Sequence, residues 1–143
     1  MSGISLYLKK NKKEAKPIVI YPTASLTDEE GNRVPFTFKA VSTSENNRLR
    51  DECTKQIPIT GKRNHFRNDF DVDAYQSKLV AACCVEPNLL NAELQDSYGV
   101  KTPEALITSM IDNPGEFAEL FAQIATLCGF DNTSEDRVEE IKN

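Results

Sequence analysis

Residues 91–130 read NAELQDSYGVKTPEALITSMIDNPGEFAELFAQIATLCGF, and this stretch decides the fold. It holds three short apolar segments separated by two signals that stop one helix and start the next. Gly99 is typical of a helix C-terminus, Thr102-Pro103 of a helix start, and Asn113-Pro114-Gly115 breaks the chain again. Apolar residues that recur at helical spacing predict one buried face on each of the two later helices. They are Leu106, Ile107, Met110 and Ile111, followed by Phe117, Leu120, Phe121, Ile124, Leu127 and Cys128. Gly129 is expected to be the C-cap of the last helix, with Phe130 making a hydrophobic contact just past it.

Upstream of this stretch, Val72–Cys84 predicts a longer helix that is apolar around most of its circumference. Such a helix belongs at the centre of a core. Either Asp69 or Asp71 supplies its N-cap, and Glu86-Pro87 stops it. Asn88 is then expected to cap a short helix. One side of the longer helix is lined by Val72, Tyr75, Leu79, Ala82 and Cys83, and the short helix would hold Leu89, Leu90 and Leu94.

The N-terminal half predicts two strands and one peripheral helix. Ile18-Val19-Ile20-Tyr21 is rich in residues typical of strands, and apolar residues alternate from Val34 to Val41. We expect these strands to pair as an antiparallel hairpin that packs on the helices, because a lone hairpin is marginal in water. Ser42 to Ser44 offer an N-cap for a helix from Glu45 to Gln56 with Leu49, Cys53 and Ile57 on one stripe. Residues 58–68, which are basic, are expected to form a loop.

The predicted fold class is α+β and mostly α, with an N-terminal β-hairpin packed on a bundle of about five short helices. A length of 143 residues fits one domain. We expect residues 1–16 to form a flexible basic arm and residues 17–130 to form the single globular domain. Within that domain the hairpin spans 17–41 and the helical part spans 42–130. Residues 131–143 are expected to form an acidic C-terminal tail or a short helix.

Charge is unevenly distributed along the chain. The total is -5, yet residues 1–16 carry five lysines against the single acid Glu14, so the remainder accounts for -9. An acidic body would repel a phosphate backbone, so we expect no nucleic acid partner. No apolar run approaches the roughly 20 residues that span a bilayer, and the first eight residues lack the order of a signal peptide. The sequence therefore predicts a cytoplasmic protein without a membrane partner.

Asp69-x-Asp71-x-Asp73 has the spacing that opens a calcium-binding EF-hand loop. Such a loop needs Gly at its sixth position and Glu at its twelfth, and here these positions hold Ala74 and Val80. Acids at the start of a helix also cap its amide groups and are favoured by its dipole. We therefore interpret these aspartates as helix-starting residues rather than metal ligands.

The sequence contains no recognisable set of catalytic residues. His65 is the only histidine, and the four cysteines, Cys53, Cys83, Cys84 and Cys128, form no C-x-x-C pair. This excludes the usual zinc spacing and leaves no motif for nucleophilic catalysis. Three of the cysteines lie in apolar helical pattern and are interpreted as small core residues. We expect no catalytic residue, no metal and no cofactor.

A small helical protein without chemistry generally works by binding, so the apolar stripe of the last helix carries the functional question. Phe117, Leu120, Phe121 and Ile124 have two interpretations. They form part of the core, which periodicity favours, or they form a face that binds a helix of a partner. The sequence does not separate core from interface within this stripe.

Several short motifs, taken in order, resemble those of one known family. They are Leu6 to Lys13, Arg50 to Lys55, Asp69-Phe70-Asp71 before Tyr75, Glu86 to Leu89, Glu93 to Val100, and Asn113 to Phe117. With this combination the chain resembles the XkdN-like tail assembly chaperones of long-tailed phages and prophages. Each motif alone is weak, and their order and combination carry the resemblance.

The resemblance implies a non-enzymatic function. A chaperone of this kind binds the long tape measure protein, is released as the tail tube polymerises, and is absent from the mature particle. It would act in the cytoplasm of the bacterial host. Binding to the tail tube protein and self-association remain open, and the alternative is a structural tail or other virion component that stays in the particle.

Overall fold

The computed structural model describes residues 3–130, which contain five α-helices, five β-strands and two short 3₁₀ turns. The helices are α1 Thr43–Glu52, α2 Val72–Cys83, α3 Ala92–Tyr98, α4 Pro103–Met110 and α5 Pro114–Leu127. The strands are β1 Ile18–Ile20, β2 Phe36–Phe38, β3 Thr54–Pro58, β4 Phe66–Phe70 and β5 Cys84–Glu86. The expected α+β, mostly α class is confirmed. The predicted acidic tail or helix at 131–143 lies outside the described residues.

The predicted N-terminal hairpin is present but is part of a larger sheet. β1 pairs antiparallel with β2, with Ile18 opposite Phe38 and Ile20 opposite Phe36. β5 then adds to the other side of β2, which gives the strand order β1-β2-β5. The prediction that α2 includes Cys84 is therefore wrong. The backbone of Cys84 is extended (φ -73°, ψ 116°), and it pairs with Phe38 as the first residue of β5.

The core lies between this sheet and the helices around α2. Phe36 and Phe38 point from the sheet into it, and Leu79 and Val80 of α2 are fully buried. Helices α1, α4 and α5 all pack against α2, which confirms its central position. Val72, which was expected on the buried side, is instead 51% exposed. It lies in the first turn of α2, where the chain enters from a solvent-exposed strand.

The loop predicted for residues 58–68 is shorter than expected, covering 59–65, and it connects the two strands of a second hairpin. Strands β3 and β4 pair antiparallel from Thr54 opposite Phe70 to Pro58 opposite Phe66. Helix α1 consequently ends at Glu52, four residues earlier than expected, and Ile57 lies in β3 rather than on a helical stripe. These strands could not be recognised from the sequence pattern, because β4 has no buried residue and therefore no alternation of apolar and polar positions.

Most helix boundaries follow the expected capping chemistry. Thr102 and Asn113 accept hydrogen bonds from Ala105 N (3.2 Å) and Glu116 N (3.0 Å), and Pro103 occupies the first turn of α4. Gly99 ends α3 in the left-handed region (φ 68°), where a residue without a Cβ avoids strain. These three boundaries confirm the signals that divide residues 91–130.

Two boundaries were predicted incorrectly. Asn91, not Asn88, caps α3 by accepting from Leu94 N at 2.9 Å, and Asn88 instead accepts from Leu90 N in the preceding turn. Leu90 is consequently 73% exposed. At the end of α5 the C-cap is Cys128, one residue before Gly129. The Phe130 N–H then bonds Ala125 O at 2.9 Å, which closes the helix end, while half of the Phe130 side chain stays exposed.

Candidate functional site

Helix α5 carries all four residues predicted to bind a partner, and its burial divides them into two pairs. Leu120 and Ile124 are 1% and 0% exposed and belong to the core. Phe117 and Phe121 are half-buried and pack against the same core cluster. The accessible part of the predicted face is therefore formed by the two phenylalanines. Whether this face binds a partner stays a prediction.

The other flank of α5 lines a groove against the edge strand β1. The groove has a volume of about 390 Å³ and runs between Val19, Tyr21 and Pro22 on one side and Glu116, Glu119 and Gln123 on the other. At about 3.6 residues per turn, these α5 residues and the two phenylalanines lie on opposite flanks of the buried stripe. The buried stripe of α5 is therefore bordered by the groove on one side and by the two phenylalanines on the other.

Glu116 ties the start of α5 to the segment that follows β1. Its carboxylate accepts the Ala24 N–H at 2.9 Å and the Thr23 hydroxyl at 2.7 Å. These two bonds favour the charged form and hold the pKa of Glu116 below its ordinary value. The Thr23 side chain is itself buried, so this contact fixes the wall of the groove rather than serving a ligand.

The outer surface of β1 was not singled out from the sequence. Val19 and Tyr21 are 56% and 55% exposed, although both belong to an apolar run. Ile20 between them is buried, as expected for a strand whose successive side chains point to opposite faces. The continuous apolar run from Ile18 to Tyr21 could have indicated this surface, because both faces of such a strand are apolar. Only one face is covered here, so the other presents apolar side chains to solvent.

The second hairpin forms a basic, solvent-exposed element that we call the basic ribbon, residues 54–70. It carries Lys55, Lys62, Arg63 and Arg67 against the single acid Asp69. Its attachment to the body is aromatic: the Phe70 ring lies 5.4 Å from the Tyr75 ring, and the guanidinium of Arg50 lies 5.4 Å over the Phe70 ring. The basic charge of this element and the loop at its tip were predicted from the sequence, whereas its two strands were not.

The three aspartates at the base of the basic ribbon take separate structural positions. Asp71 is the N-cap of α2 and accepts the Ala74 N–H at 3.0 Å, which confirms the capping interpretation. Asp69 lies opposite Lys55 in the register of β3 and β4, and Asp73 lies in the first turn of α2. Within residues 3–130, no three His, Cys, Asp or Glu side chains come close enough to hold a metal ion.

The cysteines lie mainly in the core. Cys53 and Cys83 are buried, and Cys84 and Cys128 are half-buried. Burial raises the pKa of the Cys83 thiol, and it raises the pKa of the Cys84 thiol to about 12. Both therefore remain protonated and weakly nucleophilic at neutral pH. His65 is exposed and lies between β3 and β4 in the basic ribbon.

None of the helices described for residues 3–130 combines the length and the apolar character needed to cross a membrane.

Comparison with known proteins identifies relatives along almost the whole chain. Residues 4–142 match the family described as the phage XkdN-like tail assembly chaperone protein. YqbN of Bacillus subtilis (strain 168) is 26% identical over 98% of this chain and 93% of its own length. The phage-like element PBSX protein XkdN of the same strain is 23% identical with the same coverage.

A solved structure supports the fold. The crystal structure of the protein YqbN superimposes with a TM-score of 0.73 and covers 92% of this chain and 99% of that chain. Sequence identity in this comparison is 22%, so the structural likeness bears on the fold alone.

Proposed function

This chain belongs to the XkdN-like family of phage tail assembly chaperones, and we propose that it is a non-enzymatic chaperone that binds the tape measure protein. It would be released as the tail tube polymerises, and the tail tube protein is a second candidate partner. The observation that carries the proposal is the family match across residues 4–142. A match of this length includes every helix and strand described above.

The surface of α5 suits the binding of an apolar helical protein. A tape measure protein is long, helical and apolar in pattern, and would aggregate without cover. An amphipathic helix docks through apolar side chains spaced three, four and seven residues apart. Phe117 and Phe121 are four residues apart and partly accessible, while Leu120 and Ile124 hold the helix to the core beneath them.

We place the tape measure contact on the Phe117–Phe121 flank of α5. The rest of the site would be rigid, because α5 is capped at both ends and packs against α2. A small contact of this kind is weak for one copy. Many copies along one tape measure protein would give stable cover that tube subunits can still displace step by step.

We also propose where and when the chaperone acts. The chaperone would act in the cytoplasm of the bacterial host before the tube closes, and it would be missing from the finished tail. Mass spectrometry of purified tails tests this directly. Detection of this chain at a fixed ratio to the tube protein would instead support the alternative, a structural tail or other virion component.

The first experiment is affinity capture of the tagged chain from cells that express the whole tail gene cluster, read by mass spectrometry. We expect enrichment of the tape measure protein. Recovery of tube or baseplate proteins without it would contradict the proposal and favour a structural subunit.

Two variants then test the binding face. Phe121→Ser removes an apolar contact, and Ala118→Glu places a charge three residues before Phe121, on the neighbouring turn of α5, at an exposed position. Both should lose the tape measure protein from the capture. Leu90→Ser is the matched control, because Leu90 is an exposed apolar residue on a different surface. Normal capture by Ala118→Glu, with helicity unchanged by circular dichroism, would exclude this face.

A further inference from the structure

The basic ribbon makes few stabilising contacts with the rest of residues 3–130. Every residue of β4 is exposed, and Phe66 near the tip is 55% exposed. A two-stranded hairpin is marginally stable in water unless it packs on something else. Among the residues that the structure describes, the contacts lie at its base, where Phe70 packs on Tyr75 and the Asp71 N–H bonds to Cys53 O at 2.8 Å.

The cations of the ribbon form no ion pair within residues 3–130. Its four cations and one acid give it a net charge of +3 in a protein of -5. Every ion pair found within residues 3–130 joins Glu45, Arg48, Glu52 or Lys78, all of which lie on α1 or α2. Lys62, Arg63 and Arg67 therefore present their charges to solvent.

A surface of opposite sign lies elsewhere on the same molecule. Asp28, Glu29 and Glu30 follow one another in the connection between β1 and β2, and all three are exposed. We call residues 28–30 the acidic loop. Asp28 fixes its shape by accepting the N–H groups of Glu30 and Asn32, both at 2.9 Å. The side chains of Glu29 and Glu30 are left free to meet a cation.

The two charged elements are attached at different ends of α2. Asp71 connects the ribbon to Val72, the first residue of α2, and β5 of the three-stranded sheet follows Cys83, its last residue. Twelve helical residues separate these attachment points by about 18 Å. The acidic loop precedes β2 and reaches it at Phe36. The other end of β2, Phe38, is the residue that pairs with Cys84.

We propose that the basic ribbon of one copy docks on the acidic loop of a second copy. Lys62, Arg63 and Arg67 face Glu29 and Glu30, and the exposed Phe66 and Tyr21 add apolar area beside the charges. Because the ribbon and the acidic loop are different surfaces of one copy, the contact either closes a two-fold dimer, in which each ribbon meets the other copy's loop, or repeats from copy to copy. It goes beyond tape measure binding and does not require it, since the isolated protein carries both surfaces.

The test is the mass of the purified full chain by sedimentation velocity over a concentration series, at low and at high ionic strength. The wild type should exceed the 16.0 kDa of one chain as concentration rises, and it should return toward that mass at high salt, because exposed charges are screened. Lys62→Glu combined with Arg63→Glu should abolish this association. Lys12→Glu combined with Lys13→Glu makes the same change in net charge in the N-terminal arm and should leave it intact.

A charge exchange identifies the partner surface. Glu29→Lys combined with Glu30→Lys should also be monomeric, since its loop then repels the ribbon of a second copy. A mixture of this variant with the Lys62→Glu, Arg63→Glu variant should associate, because each ribbon then meets a loop of opposite sign. Circular dichroism verifies that each variant is folded.

Three outcomes would overturn the proposal. They are a wild type that stays monomeric at low salt, a loss of association in the arm control, and a mixture that fails to associate. If the ribbon variant instead fails to capture another tail protein while the wild type is monomeric, the ribbon serves a different partner. None of these outcomes bears on the α5 variants, so failure here is distinguishable from failure of the chaperone proposal.

Discussion

The three-stranded sheet and the basic ribbon are both antiparallel, yet they are stabilised in different ways. Phe36 and Phe38 in the middle strand of the sheet are 1% and 0% exposed, and they join the core of the helical bundle. The ribbon keeps its hydrogen-bonded register while all five residues of β4 remain exposed. Strands of this chain can therefore pair without burying their side chains. The exposed side chains of the ribbon remain available for a surface function.

The largest expected difference between the two regions is in hydrogen exchange. Paired amides of β2 should exchange only through global unfolding, which typically costs about 5–15 kcal/mol in a single domain. Paired amides of the ribbon should open locally at a small fraction of that free energy, because few buried contacts oppose their opening. Native-state exchange followed by NMR measures both. Equal protection of Phe38 and Asn68 would show that the ribbon belongs to the cooperative core.

A matched pair of substitutions sharpens the same contrast. Phe38→Ala should lower the free energy of unfolding by about 3–5 kcal/mol, because it removes a fully buried ring and leaves a cavity. Phe66→Ala, at a 55% exposed ring, should change it by no more than about 0.5 kcal/mol. Urea denaturation followed by circular dichroism measures both values. A large cost for Phe66→Ala would mean that the ribbon packs on its own body.

The same contrast explains what the sequence could predict. The helices of residues 91–130 and the strand β2 were recognised because burial of one face imposes a period on the apolar residues, and β1 was recognised because its residues are typical of strands. Gly99, Thr102 and Asn113 marked their boundaries, because backbone groups at helix ends need particular partners. The ribbon and β5 had no such period. β5 is three residues long, and its position depends on β2, which lies far away in sequence.

The candidate site was predicted in part for a similar reason. Helical spacing placed Phe117, Leu120, Phe121 and Ile124 on one stripe, and all four do contact the core. Periodicity cannot tell the centre of a buried stripe from its edge, since both repeat with the same spacing. Only the neighbours of α5 in space distinguish the buried Ile124 from the half-buried Phe121, and those neighbours come from other parts of the chain.

A smaller effect is expected where the ribbon joins the helical body. Asp71→Ala removes the side-chain bond to Ala74 N and should cost about 1 kcal/mol, as helix N-caps generally do. Asp73→Ala is the matched control, because Asp73 lies in the first turn of α2 without being its N-cap. Thermal unfolding ranks the two variants. A cost for Asp73→Ala equal to that for Asp71→Ala would point to dipole electrostatics rather than capping.

The smallest expected effect concerns the contact between α5 and the segment that follows β1 in the three-stranded sheet. Hydrogen bonds from Ala24 N and Thr23 hold the pKa of Glu116 below its ordinary value of 4.5. A carboxyl with a depressed pKa adds stability that is fully present above its unfolded pKa and is lost as pH falls through the folded one. The difference in stability between the wild type and Glu116→Gln should therefore be constant near neutral pH and should shrink as pH falls below 4.5. Urea denaturation across that range measures it, with Glu119→Gln, an exposed acid on the same helix, as the control. A difference that does not change with pH would mean that the two hydrogen bonds, and not the charge of Glu116, hold α5 to the sheet.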